Sequence, residues 1–202
     1  MSKYEQRLMT ASSLEVRADD EGNENRIVGY AAVFNSMSEN LGGFREQIAQ
    51  GAFASSLGEG SDIRALWNHN SDFVIGRTTS GTLRLSEDEI GLRFEIDMPE
   101  SARQQIEAIR RGDVTQMSFG FSVKPNGDRV EEDEDGMLIR TLTDVKLMEV
   151  SPVAFPAYQA TSVDQRTVEQ LREQIKPATV TEQTTRRVER KRALLDRLDN
   201  GH

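Results

Sequence analysis

Alternating apolar and polar residues in the middle of the chain predict β-strands with one face in a core. Between residues 90 and 98, Leu92, Phe94 and Ile96 alternate with charged residues, which is the period-2 pattern of a half-buried strand. Residues 115–124 alternate in the same way, with Met117, Phe119, Phe121 and Val123 on one face and Ser118, Gly120 and Ser122 on the other. Shorter strand candidates bounded by turn-forming residues are 26–35, 62–67, 73–79, 82–86, 137–143 and 144–153.

Helix signals are fewer. Pro99 precedes a segment that places Ile106 and Ile109 three residues apart and ends at Gly112, which predicts a helix over 99–111. One helical turn is expected in 51–57 and another helix in 165–176. Residues 186–198 form a basic amphipathic pattern that favours a docking helix and a solvated tail equally.

Many short strands in succession favour an α+β, mostly β fold, in which an antiparallel β-barrel is surrounded by a few helices. We predict a flexible N-terminus over residues 1–12, one domain over 13–165, and a basic C-terminal tail over 166–202 that could dock on another protein.

Composition removes several kinds of chemistry. The chain of 202 residues has no cysteine, which excludes disulfides, zinc-thiolate sites and a cysteine nucleophile. It has two histidines, His69 and the terminal His202. The acidic run 131–135 has no histidine near it and is expected to be a solvated loop, so we predict no metal and no cofactor. The first ten residues lack the apolar core of a secretory signal, and cytosolic action is expected.

The charge distribution argues against nucleic acid as a partner. The net charge of −9 divides into −12 for residues 1–165 and +3 for 166–202. Because affinity for phosphate comes mainly from Lys and Arg, an acidic body does not favour DNA or RNA. No apolar stretch reaches the ~18 residues of a membrane span. The basic tail is expected to bind a protein.

A hydroxyl nucleophile with a histidine base is the one catalytic arrangement that these residues allow. Ser and Thr hydroxyls need a base, and His69 is the sole internal candidate. Ser118 lies on the face opposite the apolar side chains, beside Gly120, where a substrate backbone could approach. Without function, Ser118 would be an ordinary residue on a strand surface and His69 an ordinary histidine at the end of a strand. The G-x-S-x-G motif, which marks the nucleophile of many hydrolases, is absent.

Several motifs, in order, closely resemble the caudovirus prohead protease family, the capsid maturation serine proteases of tailed phages. They are GYAAVFN (29–35), LGGFREQIAQGAF (41–53), ALWNHN (65–70), GRTTSGTLRL (76–85), GLRFEIDMP (91–99), RRGDVTQMSFGF (110–121) and LMEVSPVAFPAY (147–158). The resemblance spans roughly residues 13–166 and implies a fold similar to the herpesvirus assemblin proteases, a β-barrel ringed by helices.

The resemblance also implies site residues. The family's histidine falls on His69, in the W-N-H stretch, and its serine on Ser118, in M-S-F-G-F. An acidic third member is expected, and Glu149 in L-M-E-V-S is preferred over Asp144. The alternation of residues along the strand does not decide between the two acids. It places Glu149 on the same face as Leu147, and Asp144 on the same face as Met148 and Val150. The donors of the oxyanion hole are not assigned.

The implied function is a serine endopeptidase acting in the host bacterial cytoplasm, inside the assembling prohead. It would cleave a scaffold protein, or the scaffolding segment of the major capsid protein, and itself. A homodimer or an assembly-dependent oligomer is possible for such a protein. The alternative is a catalytically inactive assembly protein that retains the protease fold, against which stands the presence of both His69 and Ser118.

Overall fold

Twelve strands and three helices form the described part of the chain in a computed structural model, which describes residues 3–9, 14–18, 22, 25–58, 60–155 and 165–175. The strands are β1 Tyr4–Met9, β2 Glu15–Arg17, β3 Arg26–Val33, β4 Phe44–Ile48, β5 Arg64–Trp67, β6 Asn70–Arg77, β7 Leu83–Glu87, β8 Gly91–Asp97, β9 Gln116–Val123, β10 Asp128–Glu132, β11 Leu138–Leu142 and β12 Val145–Val153. The helices are α1 Ala54–Gly58, α2 Arg103–Arg110 and α3 Gln165–Ile175.

The strands form three sheets, so the mostly β, α+β class is confirmed while no closed barrel is found among the described residues. The first sheet has the order β1-β9-β12-β5-β6, the second β10-β11-β4, and the third β2-β3-β8-β7. Two pairings, β11 with β4 and β12 with β5, are parallel. The predicted antiparallel barrel is therefore not confirmed: the described strands form sheets with mixed pairing. Alternation along a strand reports which face is buried, but it does not report which distant strand lies beside it.

One hydrophobic core joins residues of the first and third sheets. Its largest fully buried side chains include Phe53, Phe94, Phe119 and Phe121. The rings of Phe53 and Phe119 meet edge to face with their centroids 5.5 Å apart. Each such side chain contributes roughly 1.5–3 kcal/mol by leaving water, and β9 supplies two of them. The core therefore fixes β9 firmly in the first sheet.

The predicted helix after Pro99 is present, although its α-helical part begins later. A short 3-10 turn covers Glu100–Ala102, and α2 follows from Arg103 to Arg110. Its two isoleucines, Ile106 and Ile109, are buried in the core. Gly112 ends the segment with a φ of +77°, a left-handed conformation that glycine adopts at no steric cost.

The helix predicted over 165–176 is α3, which packs on the second sheet. Leu171 is buried in a small cluster with Leu41, Phe44 and Leu138, and Val168 packs against this cluster. The basic pattern at 186–198 lies outside the described residues. Within the described part of the chain, no helix is long and apolar enough to cross a membrane.

Part of the N-terminal segment predicted to be flexible, Tyr4–Met9, is a strand in the structure. This segment forms β1, an edge strand that pairs antiparallel with β9 from Tyr4 opposite Ser122 to Met9 opposite Met117. Ion pairs from its Glu5 and Arg7 reach the second sheet. Their partners lie far along the sequence, so local reasoning about the N-terminus could not find them.

Candidate active site

The serine face of β9 is turned away from the core, as its alternation predicts. Met117, Phe119 and Phe121 are fully buried in the core, and Ser118 belongs to the opposite face. Ser118 is nevertheless 0% exposed, and its strand lies between β1 and β12. The serine is thus enclosed within the sheet and is not part of an open surface.

His69 sits in a tight hairpin turn between β5 and β6. Asn68 and His69 form the two-residue loop, with φ of +52° and +59°, the left-handed values that a type I′ hairpin turn requires. Asn68 fixes this turn to the end of β12: its N–H donates to the Pro152 carbonyl at 3.0 Å, and its Oδ1 accepts from the Ala154 N–H at 2.8 Å. The turn therefore holds His69 beside β12.

A β-bulge in β12 decides which face Glu149 occupies. Leu147 pairs with Phe121, yet Glu149, two residues later, pairs with Gly120. Met148 is therefore an extra residue that shifts the alternation by one. Directly opposed residues share a face, so Glu149 lies on the same face as Ser118. The alternation of residues in the sequence could not decide the face of Glu149, because it does not reveal a bulge.

Glu149 is buried and holds His69 by a short hydrogen bond. Its Oε1 lies 2.7 Å from His69 Nδ1 and also accepts from the Tyr4 hydroxyl at 3.0 Å. Its Oε2 accepts from the Ser151 hydroxyl at 2.5 Å. Burial, followed by the negative charge of Glu149, raises the pKa of Tyr4 to about 12, so the phenol remains a donor. These contacts leave the carboxylate paired on both oxygens, as a buried charge requires.

The contact with Glu149 selects one tautomer of His69. An ionised carboxylate only accepts hydrogen bonds, so Nδ1 carries the proton and Nε2 of the neutral ring has a free lone pair. Nε2 is buried and has no hydrogen-bond partner in the part of the chain that the structure describes. The Ser118 hydroxyl donates instead to the Arg7 carbonyl at 3.0 Å. His69 and Glu149 are thus joined, whereas Ser118 and His69 are not hydrogen-bonded to each other in this conformation.

Asp144, the alternative acidic residue, makes different contacts. It accepts a hydrogen bond of 2.5 Å from Ser55 and lies 3.8 Å from the Lys124 ammonium. Its side chain is 46% exposed. Among the contacts of the described residues, it is Glu149 that reaches His69.

Gly120 leaves room for the side chains around Glu149. A Cβ built on Gly120 would lie 2.2 Å from the Tyr4 hydroxyl oxygen and 2.5 Å from Glu149 Oε1. The space above this glycine is therefore filled by the protein's own side chains, and the expectation that a substrate backbone occupies it does not hold in this conformation.

We expect Gly120→Ala to lower the free energy of unfolding by about 1–3 kcal/mol, because Tyr4 and the buried Glu149 must both move. Urea unfolding measures this change. Gly58→Ala is the matched control, since nothing lies within 4 Å of a Cβ at Gly58, and its effect should stay within about 0.5 kcal/mol. Equal effects of the two substitutions would contradict the crowding at Gly120.

A buried ionic cluster ties β1 to the second sheet. Arg7 Nε lies 2.6 Å from Glu46 Oε1, and Arg140 pairs with Glu5 at 2.9 Å, Glu46 at 3.1 Å and Asp128 at 2.7 Å. Glu46 and Arg140 are only 4% and 6% exposed. The sequence does not predict this cluster, because its members come from four strands that are distant along the chain: β1, β4, β10 and β11.

The cluster should make the stability contributed by Glu5 depend on pH. Burial alone would raise the pKa of Glu5, but the hydrogen bond from Arg140 and the charges of Arg7 and Arg140 hold it below its ordinary value of 4.5. A carboxyl whose pKa is lower in the folded state stabilises that state above pH 4.5, and this contribution is lost as the pH falls through the folded-state pKa. Glu46 and Asp128 are the other acids facing the same arginines.

We therefore expect Glu5→Gln to lower the free energy of unfolding by about 1–3 kcal/mol at pH 7, and the difference from the wild type to shrink below pH 4.5. Urea unfolding at pH 7 and pH 3.5 measures both values. Glu15→Gln, at an exposed position on β2, is the control and should show little effect at either pH. A difference that stays constant with pH would contradict the role given to Glu5.

Comparison with known families gives one match. The family model described as caudovirus prohead serine protease matches residues 12–188. Comparisons with curated proteins and with solved structures found no match. The likeness to the herpesvirus assemblin fold therefore remains an implication of the family resemblance. The matched region begins after β1 and contains His69, Ser118 and Glu149.

Proposed function

Because the chain belongs to the caudovirus prohead serine protease family, we propose that it is a serine endopeptidase with Ser118 as nucleophile, His69 as base and Glu149 as the acid that orients the base. The contact of 2.7 Å between His69 Nδ1 and Glu149 Oε1 carries this assignment. It is supported by the position of Ser118 on the same face as Glu149, opposite Ser151 of the neighbouring strand.

In the proposed mechanism, Ser118 Oγ attacks the carbonyl carbon of the scissile peptide while His69 Nε2 takes the hydroxyl proton. Glu149 stabilises the imidazolium that forms and keeps the proton on Nδ1. His69 then gives the proton from Nε2 to the leaving amine, which breaks the C–N bond and leaves an acyl-enzyme. Water, deprotonated by the same nitrogen, hydrolyses the ester and restores Ser118. This sequence requires Ser118 to exchange its hydrogen bond with the Arg7 carbonyl for one with His69.

The proposed substrates follow from the family. They are a scaffold protein or the scaffolding segment of the major capsid protein, together with the protease itself. Cleavage inside the assembling capsid would allow the fragments to leave before DNA enters. We propose that the basic tail, residues 166–202, recruits the protease to the scaffold.

An inactive assembly protein is the second candidate function. One observation favours it: the Ser118 hydroxyl donates to the Arg7 carbonyl, and His69 Nε2 has no hydrogen-bond partner among the residues that the structure describes. Such a protein would keep the family fold and act by binding alone.

Co-expression with the cognate major capsid protein and scaffold separates the two candidates. Intact mass spectrometry of the proheads follows the chain masses for the wild type, Ser118→Ala and His69→Ala. The protease proposal expects trimmed chains with the wild type and full-length chains with both variants. If proheads form and all three leave the chains uncut, the inactive assembly protein is the better account.

A further inference from the structure

The edge of β9 that carries Ser118 is occupied by the chain's own N-terminal segment. β1 runs antiparallel to β9 along six paired positions, and Leu8 lies opposite Ser118. Proteins that recognise extended peptides commonly add the peptide as a further strand at a sheet edge. Without β1, β9 would be the edge strand of the first sheet. The segment therefore lies where an added peptide strand would lie.

The Ser118 hydroxyl is hydrogen-bonded to this strand. The hydroxyl donates at 3.0 Å to the carbonyl of Arg7, the residue before Leu8. In the proposed mechanism this hydroxyl would donate to His69 Nε2, which is buried and has no hydrogen-bond partner among the described residues. Because Ser118 is fully buried, a second peptide has no access to it while β1 is in place.

Two buried charges hold the strand. Glu46 on β4 pairs with Arg7, and Arg140 on β11 pairs with Glu5. Both partners belong to the second sheet and stay in place when β1 leaves. Without β1 each of these charges loses one partner: Glu46 keeps Arg140, and Arg140 keeps Glu46 and Asp128. Removing one partner of a buried ionic group is costly, so the vacated edge would favour a peptide that supplies the same two charges: an acid, and an arginine two residues later. The Tyr4 hydroxyl adds a contact to Glu149 at 3.0 Å.

We propose that β1 is a substrate-like strand that keeps the enzyme latent, and that Glu46 and Arg140 make the vacated edge selective for extended peptides carrying a Glu-x-Arg pattern. This inference rests on the proposed protease function. It adds a substrate class and a control device, and it concerns a strand that precedes the family-matched residues.

Arg7→Glu tests the latency, because it places like charges at Glu46 and should release β1. Hydrogen exchange of residues 4–9 measures the release without reference to activity. The rate at which a fluorophosphonate labels Ser118, located by peptide mass spectrometry, measures access to an activated serine. We expect faster exchange and labelling about tenfold faster or more, the range for losing a charge-assisted hydrogen bond. Arg17→Glu on β2, where the arginine side chain is 58% exposed, makes the same charge change and should match the wild type.

A peptide with the sequence of residues 3–9 tests the selectivity. In the Arg7→Glu chain carrying Ser118→Ala, it should bind and give a rise in fluorescence anisotropy, whereas the same peptide with its Glu and Arg exchanged should not. If Arg7→Glu does not fold, as judged by urea unfolding, Arg7→Ala removes the same ion pair without introducing a like charge.

The outcomes distinguish the inference from the function beneath it. Release of β1 without faster labelling, in a chain whose wild type does label, overturns the latency. Equal binding of the two peptides overturns the Glu-x-Arg preference. If Ser118 remains unlabelled in every chain, in assembled proheads as well as in the released variant, the protease function itself fails and the latency fails with it.

Discussion

Ser118→Ala should lower kcat for peptide cleavage by a factor on the order of 10⁶, the scale seen when a catalytic serine is removed from other serine proteases. Without the hydroxyl there is no acyl-enzyme, and the His69–Glu149 pair has no proton to take. The peptide used should carry the cut site found in co-expression, with cleavage followed by mass spectrometry in assembled proheads. KM should change little, because the substitution removes an interaction made in the transition state.

The stability of this variant separates chemistry from structure. Ser118 also donates to the Arg7 carbonyl, so its loss should lower the free energy of unfolding by only about 1 kcal/mol. Ser122→Ala is the matched control, since Ser122 lies on the same face of β9 and is also buried; its kcat should stay within about threefold of the wild type. Comparable rates for the two alanine variants would remove Ser118 from the mechanism.

Glu149→Gln should lower kcat by a factor on the order of 10⁴, the cost of replacing the analogous acid by its amide in another serine protease. The carboxylate accepts hydrogen bonds from His69, Tyr4 and Ser151. A glutamine has one acceptor oxygen and a donating NH₂ group, so at least one of these donors loses its acceptor. The amide can also donate to Nδ1, which would move the imidazole proton to Nε2, and it does not neutralise an imidazolium.

Asp144→Asn is the matched control for this loss, because it makes the same carboxylate-to-amide change at the other acidic candidate. Asp144 contacts Ser55 and Lys124, so its kcat should stay within about threefold of the wild type. Both rates are measured with the same peptide, and urea unfolding confirms that each variant is folded. A larger loss with Asp144→Asn would make Asp144 the third member of the site.

How far the site could be predicted depends on the range of the interaction concerned. The two faces of β9 follow from alternation between Gln116 and Val123, because a strand fixes which side each residue takes. His69 could be placed at a rim after a strand, since Asn68 and Asn70 are turn-forming neighbours. The contact between His69 and Glu149 could not be predicted from the alternation of residues. It depends on the bulge at Met148 and on the hydrogen bond that holds the turn at Asn68 to β12.

The position of the N-terminal strand β1 could not be predicted from the local sequence. Tyr4–Met9 has no alternation of apolar and polar residues that would predict a strand. A single edge strand is stable only where a partner strand and opposite charges lie beside it. Those partners are β9, Glu46 and Arg140, which lie between about 40 and 135 residues further along the chain. Nothing local to the segment could report them.

The sequence by itself determined the mostly β class, the apolar face of β9, the helix after Pro99 and the family with its His69 and Ser118, because these depend on local periodicity and on motifs. Tertiary structure decided the sheet order, the parallel pairings, the face of Glu149, the burial of Ser118 and the pairing of β9 with the chain's own β1. The physical reason is that strand pairing and buried ion pairs join residues distant in sequence, and one extra residue in a strand reverses every face that follows it.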